Sequence, residues 1–419
     1  MYEQINVFYK IQFLIHIVLY KVQYKIISFL NLISMPLSFL KRNFINPVLE
    51  WLYDSRAIGI ILLSCTCISL LLSNISTENW YTHLWHIEFK MLAAWHLPYS
   101  IHMWINDGLM TLFFFLAGME IKREIKIGEL SSIKKAILPI GAAVGGMIVP
   151  AVLFLLFNKG TIFAGGWGIP MATDIAFSLG IASLLGKKVP ISAKIFLTAL
   201  AIIDDLGAML VIALFYGGAI QLTYLLLAAA IVFLIIMINK TIRFGWLQCL
   251  LGLALWFCMY NSGIHATLAG IVFAFLIPTK QLTDYEHKVH PVVNFIILPL
   301  FAFANTAIVF PQQGLQTLSN TLSWGIIIGL FIGKPLGIIS ACWVLVKNKI
   351  AVLPYKTNWS TLIGAGILAG IGFTMSIFIS TLAFAATTTQ DIAKIAVLIA
   401  SILAMVIGYA WIMLTNKKT

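Results

Sequence analysis

Phe196-Leu-Thr-Ala-Leu-Ala-Ile-Ile-Asp-Asp-Leu-Gly-Ala-Met-Leu-Val-Ile-Ala-Leu-Phe215 is an apolar run interrupted by two adjacent carboxylates, Asp204 and Asp205, and by no other charge. As a helix rising about 1.5 Å per residue, such a run crosses ~30 Å of hydrocarbon. A carboxylate near the bilayer centre costs roughly 2.5 to 3.5 kcal/mol on insertion scales, so two in succession require a functional reason or a compensating partner. The chemistry of the chain is therefore expected at this pair.

Composition agrees with a membrane setting. The 419 residues are 61% hydrophobic and 10% charged, with a mean hydropathy of +0.98. A soluble globular domain carries about 25% charged residues, so that class is excluded. Apolar stretches near the spanning length recur at 57–75, 101–119, 136–157, 167–185, 192–216, 222–239, 245–260, 264–278, 292–310, 322–346, 361–385 and 393–414. The sequence thus predicts an all-α polytopic membrane protein with about twelve transmembrane helices.

Loop charge gives that count an orientation. Lys and Arg collect in cytoplasmic loops, and here they alternate. The loop after span two holds Lys122, Arg123, Lys126, Lys134 and Lys135, and that after span four holds Lys187, Lys188 and Lys194. Later even-numbered loops carry Lys240 and Arg243, then Lys280 and Lys288, then Lys347, Lys349 and Lys356. The odd-numbered loops show only Lys90, Lys159 and Lys394. Both termini are then cytoplasmic, with Lys41 and Arg42 at one end and Lys417 and Lys418 at the other. The net charge of +12 reflects topology and attraction to membrane lipid; its dispersal among loops argues against nucleic acid as a partner.

The chain divides into an N-terminal cytoplasmic or interfacial extension, residues 1–50, and a transmembrane domain, residues 51–419. In the extension the apolar runs between Lys10, Lys21, Lys25 and Lys41 are too short to span, and Pro36 interrupts the last. It lacks the layout of a secretory signal. Met35 opens an alternative leader, so residues 1–34 either form an interfacial helix or precede the true start. The five cysteines lie scattered in apolar spans and read as buried small hydrophobes, because Cys65-x-Cys67 has no second pair for a metal.

Few other charges fall inside spans: Asp174, Lys334 and, at the start of span two, Asp107. Asp174 sits in Gly165-Gly-Trp-Gly-Ile-Pro-Met-Ala-Thr-Asp-Ile-Ala-Phe-Ser-Leu-Gly180, where Pro170 and clustered glycines break a helix. A second such stretch, Gly364-Ala-Gly-Ile-Leu-Ala-Gly-Ile-Gly-Phe-Thr-Met-Ser376, lies in span eleven. Irregular backbone at membrane depth survives only where protein or a water-filled cavity receives its polar groups, and paired interrupted spans mark a transporter's binding site. Spans three to five and ten to twelve start on opposite sides of the membrane, as inverted-topology repeats require. Their first members share a glycine pattern, Gly141-x-x-x-Gly145-Gly146-x-x-x-Pro150 against Gly329-x-x-x-Gly333-x-Pro335-x-Gly337, which helix-packing glycines also produce.

Ala172-Thr-Asp-Ile-Ala-Phe177, Ala201-Ile-Ile-Asp-Asp-Leu-Gly-Ala208, Ile332-Gly-Lys-Pro-Leu-Gly337 and Gly372-Phe-Thr-Met-Ser-Ile-Phe378 resemble the signatures of the NhaA family of sodium/proton antiporters. So do Ile105-Asn-Asp-Gly-Leu-Met110 and Gly263-Ile-His-Ala-Thr-Leu-Ala-Gly270. The resemblance runs from about residue 55 to the C-terminus, and the family is itself a known instance of inverted repeats with broken helices. It implies electrogenic exchange of cytoplasmic Na+ or Li+ for a larger number of external protons, serving pH homeostasis and sodium tolerance. It also implies a bacterial inner membrane location, no cofactor beyond the transported ions, and a homodimer formed through a β-hairpin within Asn79–Tyr99.

The residue chemistry fits such an exchange. A hard monovalent cation prefers carboxylate, hydroxyl and carbonyl oxygen, and a carboxylate takes either that cation or a proton. By the family's pattern Asp205 is the principal carrier of Na+ and H+, while Asp204 pairs with Lys334 or joins the ion. Thr173 either adds an oxygen ligand or satisfies its own helix backbone. Asp174 and Lys334 offset the dipoles of broken helix ends; Lys334 otherwise snorkels to an interface or carries a second proton. Asp107 is an accessory carboxylate. Glu120, Arg123, Glu286, His287 and His290 match family positions implicated in pH sensing, with His265 as either a further sensor or a packing residue. The basic residues expected just before Glu286 are instead Thr283 and Asp284, and Asn261 replaces another.

Other function classes fit less well. A sodium-coupled symporter needs a solute pocket, and a passive channel needs no carrier that swaps ligands. An intramembrane aspartyl protease places its aspartates on separate helices, one within a Gly-x-Gly-Asp element absent here.

Overall fold

The computed structural model describes residues 55–75, 80–310 and 319–415. Nearly all of the described residues belong to one compact unit, 58–419. The proposed extension, with Lys41 and Arg42, and the terminal Lys417 and Lys418 lie outside the described residues.

The described residues are helical, with no strand beyond one isolated antiparallel bridge, Glu88 to Ser100. In chain order the helices are α1 Ser55–Ile75, the short α2 Trp80–Trp85 and α3 Lys90–Ala94, then α4 Ile101–Lys126, α5 Ile133–Asn158 and α6 Ile175–Leu184. They continue with α7 Ile191–Phe215, α8 Leu222–Thr241, α9 Trp246–Asn261, α10 Leu268–Leu276 and α11 Thr279–Asn305. The last are α12 Thr321–Lys347, α13 Trp359–Ala369, α14 Phe373–Ala383 and α15 Thr387–Thr415. The protein is a polytopic all-α membrane protein.

Among the described residues, nine helices are long and apolar enough to cross a membrane, or ten counting α13 and α14 as one bent span. The expected twelve is not reached by that measure. The segments at 245–260 and 264–278 became α9, with 16 residues, and α10, with only 9. The second is short because Gly263, at φ +83°, and the turn after it occupy what the hydropathy pattern assigned to helix. The hairpin expected in Asn79–Tyr99 is likewise corrected: α2 and α3 fill most of its described part. Lys394, read as a loop charge, is buried within α15. Of the cysteines, Cys65, Cys258 and Cys342 are buried, whereas Cys67 and Cys249 are exposed on apolar helix faces.

Helix α5 packs along α12 through the glycines that the two share. A Cβ on Gly145 would meet the Gly337 carbonyl oxygen at 2.3 Å, and one on Gly337 would meet that of Gly145 at 2.1 Å. Backbones approach this closely only where neither residue has a side chain. The glycine pattern is thus the contact surface between these two helices.

Both interrupted spans break where glycine and proline predicted. Ala164–Met171 is a 3-10 helix, residues 172–174 are extended, and α6 begins at Ile175. In the other span α13 ends at Ala369 and α14 starts at Phe373, the pair bent by 42°. The Asp174 amide donates to the Ile371 carbonyl at 2.7 Å, which joins the two breaks directly. Irregular backbone is satisfied here by its counterpart.

Candidate ion site at the crossed helix breaks

Each broken span exposes free amides at one helix end and free carbonyls at another, and the side chains around the crossing take up both. Asp174 is the N-cap of α6: its Oδ1 accepts from the Phe177 amide at 3.0 Å. Its Oδ2 accepts from the Thr374 amide at 3.0 Å and the Thr374 hydroxyl at 2.5 Å. One carboxylate thereby caps the N-termini of both α6 and α14, where negative charge is favourable. The Ser376 hydroxyl donates to the Ile169 carbonyl at 2.8 Å, and the Phe373 amide donates to Ser401 Oγ at 3.2 Å.

Lys334 serves the carbonyl ends. It follows a π-turn, Gly329–Gly333, within α12, and it is wholly buried. The snorkelling reading is therefore excluded. Its Nζ donates to the Met171 carbonyl, at the end of the 3-10 segment, and pairs with Asp204 Oδ2 at 2.8 Å. Thr173 holds the same carboxylate: its hydroxyl lies 2.7 Å from Asp204 Oδ2 and 3.0 Å from the Ala369 carbonyl. That hydroxyl has one hydrogen to divide between carboxylate and helix end. It satisfies the opposite broken span and not its own backbone.

The two aspartates of α7 are equally buried and differently served. Adjacent helical residues point about 100° apart. Asp204 Oδ2 has two donors, while Asp204 Oδ1 is buried without one. Asp205 Oδ1 is likewise buried and unpartnered, and no hydrogen bond or ion pair reaches the Asp205 side chain among the described residues. Two orphan carboxylate oxygens on neighbouring residues are unfavourable as they stand. They suit a proton or a bare cation, which bring the missing positive charge.

The remaining candidates fall into separate places. Asp107 lies half-buried in the π-turn Trp104–Leu109 of α4, and its backbone carbonyl accepts from Trp256 Nε1 at 2.8 Å and the Thr111 hydroxyl at 2.6 Å. No contact brings its side chain to the crossing. Near the end of α4, Arg123 pairs with Glu286 of α11 and, at 3.3 Å, with Glu124. Glu120 stands between this cluster and the crossing, within electrostatic range of Glu286 on one side and Asp205 on the other. His287 and His290 are exposed, and His290 contacts Asn294 Nδ2 at 3.1 Å. His265 is apart from them all: its Nε2 lies 2.7 Å from the Tyr216 carbonyl. Tyr216 in turn donates to the Gly165 carbonyl and accepts from the Gly168 amide, at 2.9 and 3.0 Å. Among the described residues no group of three or more His, Cys, Asp or Glu side chains could hold a metal ion.

Thr374 and Ser376 fall inside Gly372-Phe-Thr-Met-Ser-Ile-Phe378, yet sequence alone assigned them no role. Hydroxyls two and four residues after the helix-breaking Gly372 were the available signal.

Comparison with known proteins identifies the family. The family model described as Na+/H+ antiporter 1 matches residues 50–412. The Na(+)/H(+) antiporter NhaA 1 of Clostridium beijerinckii is 46% identical over 383 residues, covering 88% of this chain and 96% of that protein. NhaA of Flavobacterium psychrophilum is 48% identical over 377 residues, with the same shares. NhaA of Salmonella arizonae is 44% identical over 366 residues, or 84% of this chain and 94% of its own. With most of its length matched by both the family model and these relatives, the chain belongs to the NhaA family of Na+/H+ antiporters.

Proposed function

We propose that the protein extrudes cytoplasmic Na+ or Li+ in electrogenic exchange for a larger number of external protons, by competition at Asp204 and Asp205. The observation that carries this reading is the pair of buried, unpartnered oxygens, Asp204 Oδ1 and Asp205 Oδ1, beside a lysine already committed to Asp204.

Protonated Asp205 needs no partner and rests in the apolar surroundings. Once ionised, it attracts the cation, and Asp204 turns from Lys334 to the same ion, with the Thr173 oxygen as a third ligand. Lys334 then keeps only the Met171 carbonyl. Asp205 releases one proton as the ion enters, and more than one proton per Na+ makes the exchange electrogenic; Lys334 either carries a second proton or serves as a fixed counter-charge. Asp174, whose oxygens already hold three donors, acts as a fixed counter-charge to the helix ends. Glu120 extends the carboxylates toward the Arg123 cluster, where Glu286, His287 and His290 tune the pH response; His265, against the Tyr216 carbonyl elsewhere, is either a further sensor or a packing residue.

In this reading the protein lies in a bacterial inner membrane with both termini cytoplasmic, surrounded by lipid and assembled as a homodimer. Residues 51–419 form the transporting domain, and 1–50 a cytoplasmic or interfacial extension. The test is a preset pH gradient across everted vesicles without organic solute. Adding Na+ should collapse it; no response to Na+ or Li+ between about pH 6 and 9 would defeat the proposal.

A further inference from the structure

Helix α7 grips the first broken span at a second place, well away from its two aspartates. Tyr216 follows the last residue of α7, and its amide donates to the Ile212 carbonyl at 3.2 Å. The half-buried side chain reaches the 3-10 segment Ala164–Met171. There the phenol hydroxyl donates to the Gly165 carbonyl at 2.9 Å and accepts from the Gly168 amide at 3.0 Å. Those two peptide groups have the i, i+3 spacing that a 3-10 turn pairs, and one hydroxyl bridges them with its single hydrogen and a lone pair. Beside it the Phe215 and Trp167 rings meet edge to face, with centroids 5.1 Å apart. A Cβ on Gly168 would lie 2.7 Å from the phenol oxygen and 3.1 Å from Tyr216 Cε2, so a glycine is what admits the ring. The Tyr216 carbonyl, 2.7 Å from His265 Nε2, fixes the residue from behind.

Among the described residues, hydrogen bonds join α7 and its C-cap to this broken span at two points only, Tyr216 and the contact of Thr173 with Asp204. The two are not equivalent. In the proposed exchange the Thr173 contact is remade in every cycle, because the threonine oxygen and the Asp204 carboxylate both turn to the cation. The Tyr216 contact takes no part in that trade. A phenol keeps its proton to about pH 10, so the contact also persists across the working range.

The 3-10 segment transmits the grip to the site. Gly168 precedes Met171 by three residues, about 6 Å at the 3-10 rise, and the Met171 carbonyl receives Lys334. Two residues further stands Thr173. From the opposite side the Ser376 hydroxyl of α14 holds the Ile169 carbonyl at 2.8 Å. A shift of the segment at Gly168 therefore moves the Met171 carbonyl and the Thr173 hydroxyl relative to Asp204.

We infer that Tyr216 is a positioning residue for the ion site: its hydroxyl keeps the 3-10 segment in register with α7, so that Met171 and Thr173 stay opposite Asp204 while cation and proton replace each other. The inference rests on the proposed exchange at Asp204 and Asp205.

Sodium titration in proteoliposomes tests it. Tyr216→Phe keeps the ring and removes both hydrogen bonds. The Na+ concentration for half-maximal exchange should rise about threefold or more, with the maximal rate within about twofold of wild type. Gly168→Ala opens the same contact from the other side, since the three atoms nearest the added methyl group all belong to Tyr216. It should raise the half-maximal concentration similarly, and the double variant should be no weaker than the weaker single one. A Y216F protein that melts earlier yet keeps the wild-type half-maximal concentration overturns the inference, because a merely structural residue behaves that way. Independent, multiplying effects of the two substitutions overturn it as well. If Y216F does not insert, G168A decides by the same half-maximal concentration. Absence of Na+-dependent exchange in the wild type is instead a failure of the proposed function.

Discussion

Two ion pairs link distant parts of this chain, Lys334 to Asp204 at the crossing and Arg123 to Glu286 near the end of α4, and they differ in almost everything but charge. The first has both side chains at 0% exposure, while the second leaves Arg123 at 34% and Glu286 at 9%. A fully buried pair costs desolvation on both sides and is strongly destabilising to break. A pair that meets solvent is screened, and its loss is worth about 0 to 1 kcal/mol. The lesson is that the same chemistry serves different ends at different depths. The deep pair fixes where charge sits beside an unsatisfied Asp205; the shallow pair is easily altered by conditions outside.

The largest expected effect comes from removing the carboxylate that has no partner at all. Asp205→Asn should lower Na+-dependent exchange about 100-fold or more, since the amide carries neither proton nor cation at working pH. Because the Asp205 side chain makes no hydrogen bond or ion pair, the variant should insert and keep the wild-type melting temperature. Normal transport by Asp205→Asn in the vesicle assay would move the site elsewhere.

Next comes the buried pair itself. Lys334→Ala leaves the Asp204 charge stranded, at a cost of about 3 to 5 kcal/mol. Thermal unfolding should show a large drop, and adding Asp204→Asn should recover much of it. If Lys334 carries the second proton, the single variant that survives should also exchange with altered charge per cycle, read as a changed response to membrane potential. A variant that is destabilised yet unaltered in charge movement would make the lysine a scaffold only.

Backbone proximity ranks third. Gly337→Ala places a methyl group 2.1 Å from the Gly145 carbonyl oxygen, so α5 and α12 must separate. Overpacking of this kind costs about 1 to 3 kcal/mol. Lys334 lies on α12, and its reach to Asp204 should suffer with it, seen as a raised Na+ concentration for half-maximal exchange. Gly59→Ala, with open space around the new methyl group, is the control that should do neither.

These regions were not equally legible in the sequence. The broken spans showed themselves because glycine and proline act on their own backbone, whatever packs nearby. Asp204 and Asp205 stood out because a charge in an apolar run is anomalous without any knowledge of contacts. Thr374 was invisible as a partner of Asp174 because the two are 200 residues apart and a threonine in an apolar helix is ordinary. Hydropathy misjudged the stretch at 264–278, since it registers apolar content and not the turn that follows Gly263.

The smallest effect in stability should be the most informative in regulation. Arg123→Gln removes a half-exposed partner, so the melting temperature should hardly move once solvent screening is allowed for. Yet Glu286 and Glu120 would both lose a positive neighbour, and Glu286 Oε2 is already buried without a donor. Carboxylates stripped of a nearby cation retain their protons to higher pH. The pH at which exchange reaches half its maximum should therefore move upward, by about half a unit or more, with the maximal rate within about twofold of wild type. Arg123→Lys should restore the original midpoint by keeping the charge. A downward move, or an equal shift in Arg123→Lys, would mean that the guanidinium acts by shape and not by charge, and the shallow pair would then resemble the deep one more than its exposure suggests.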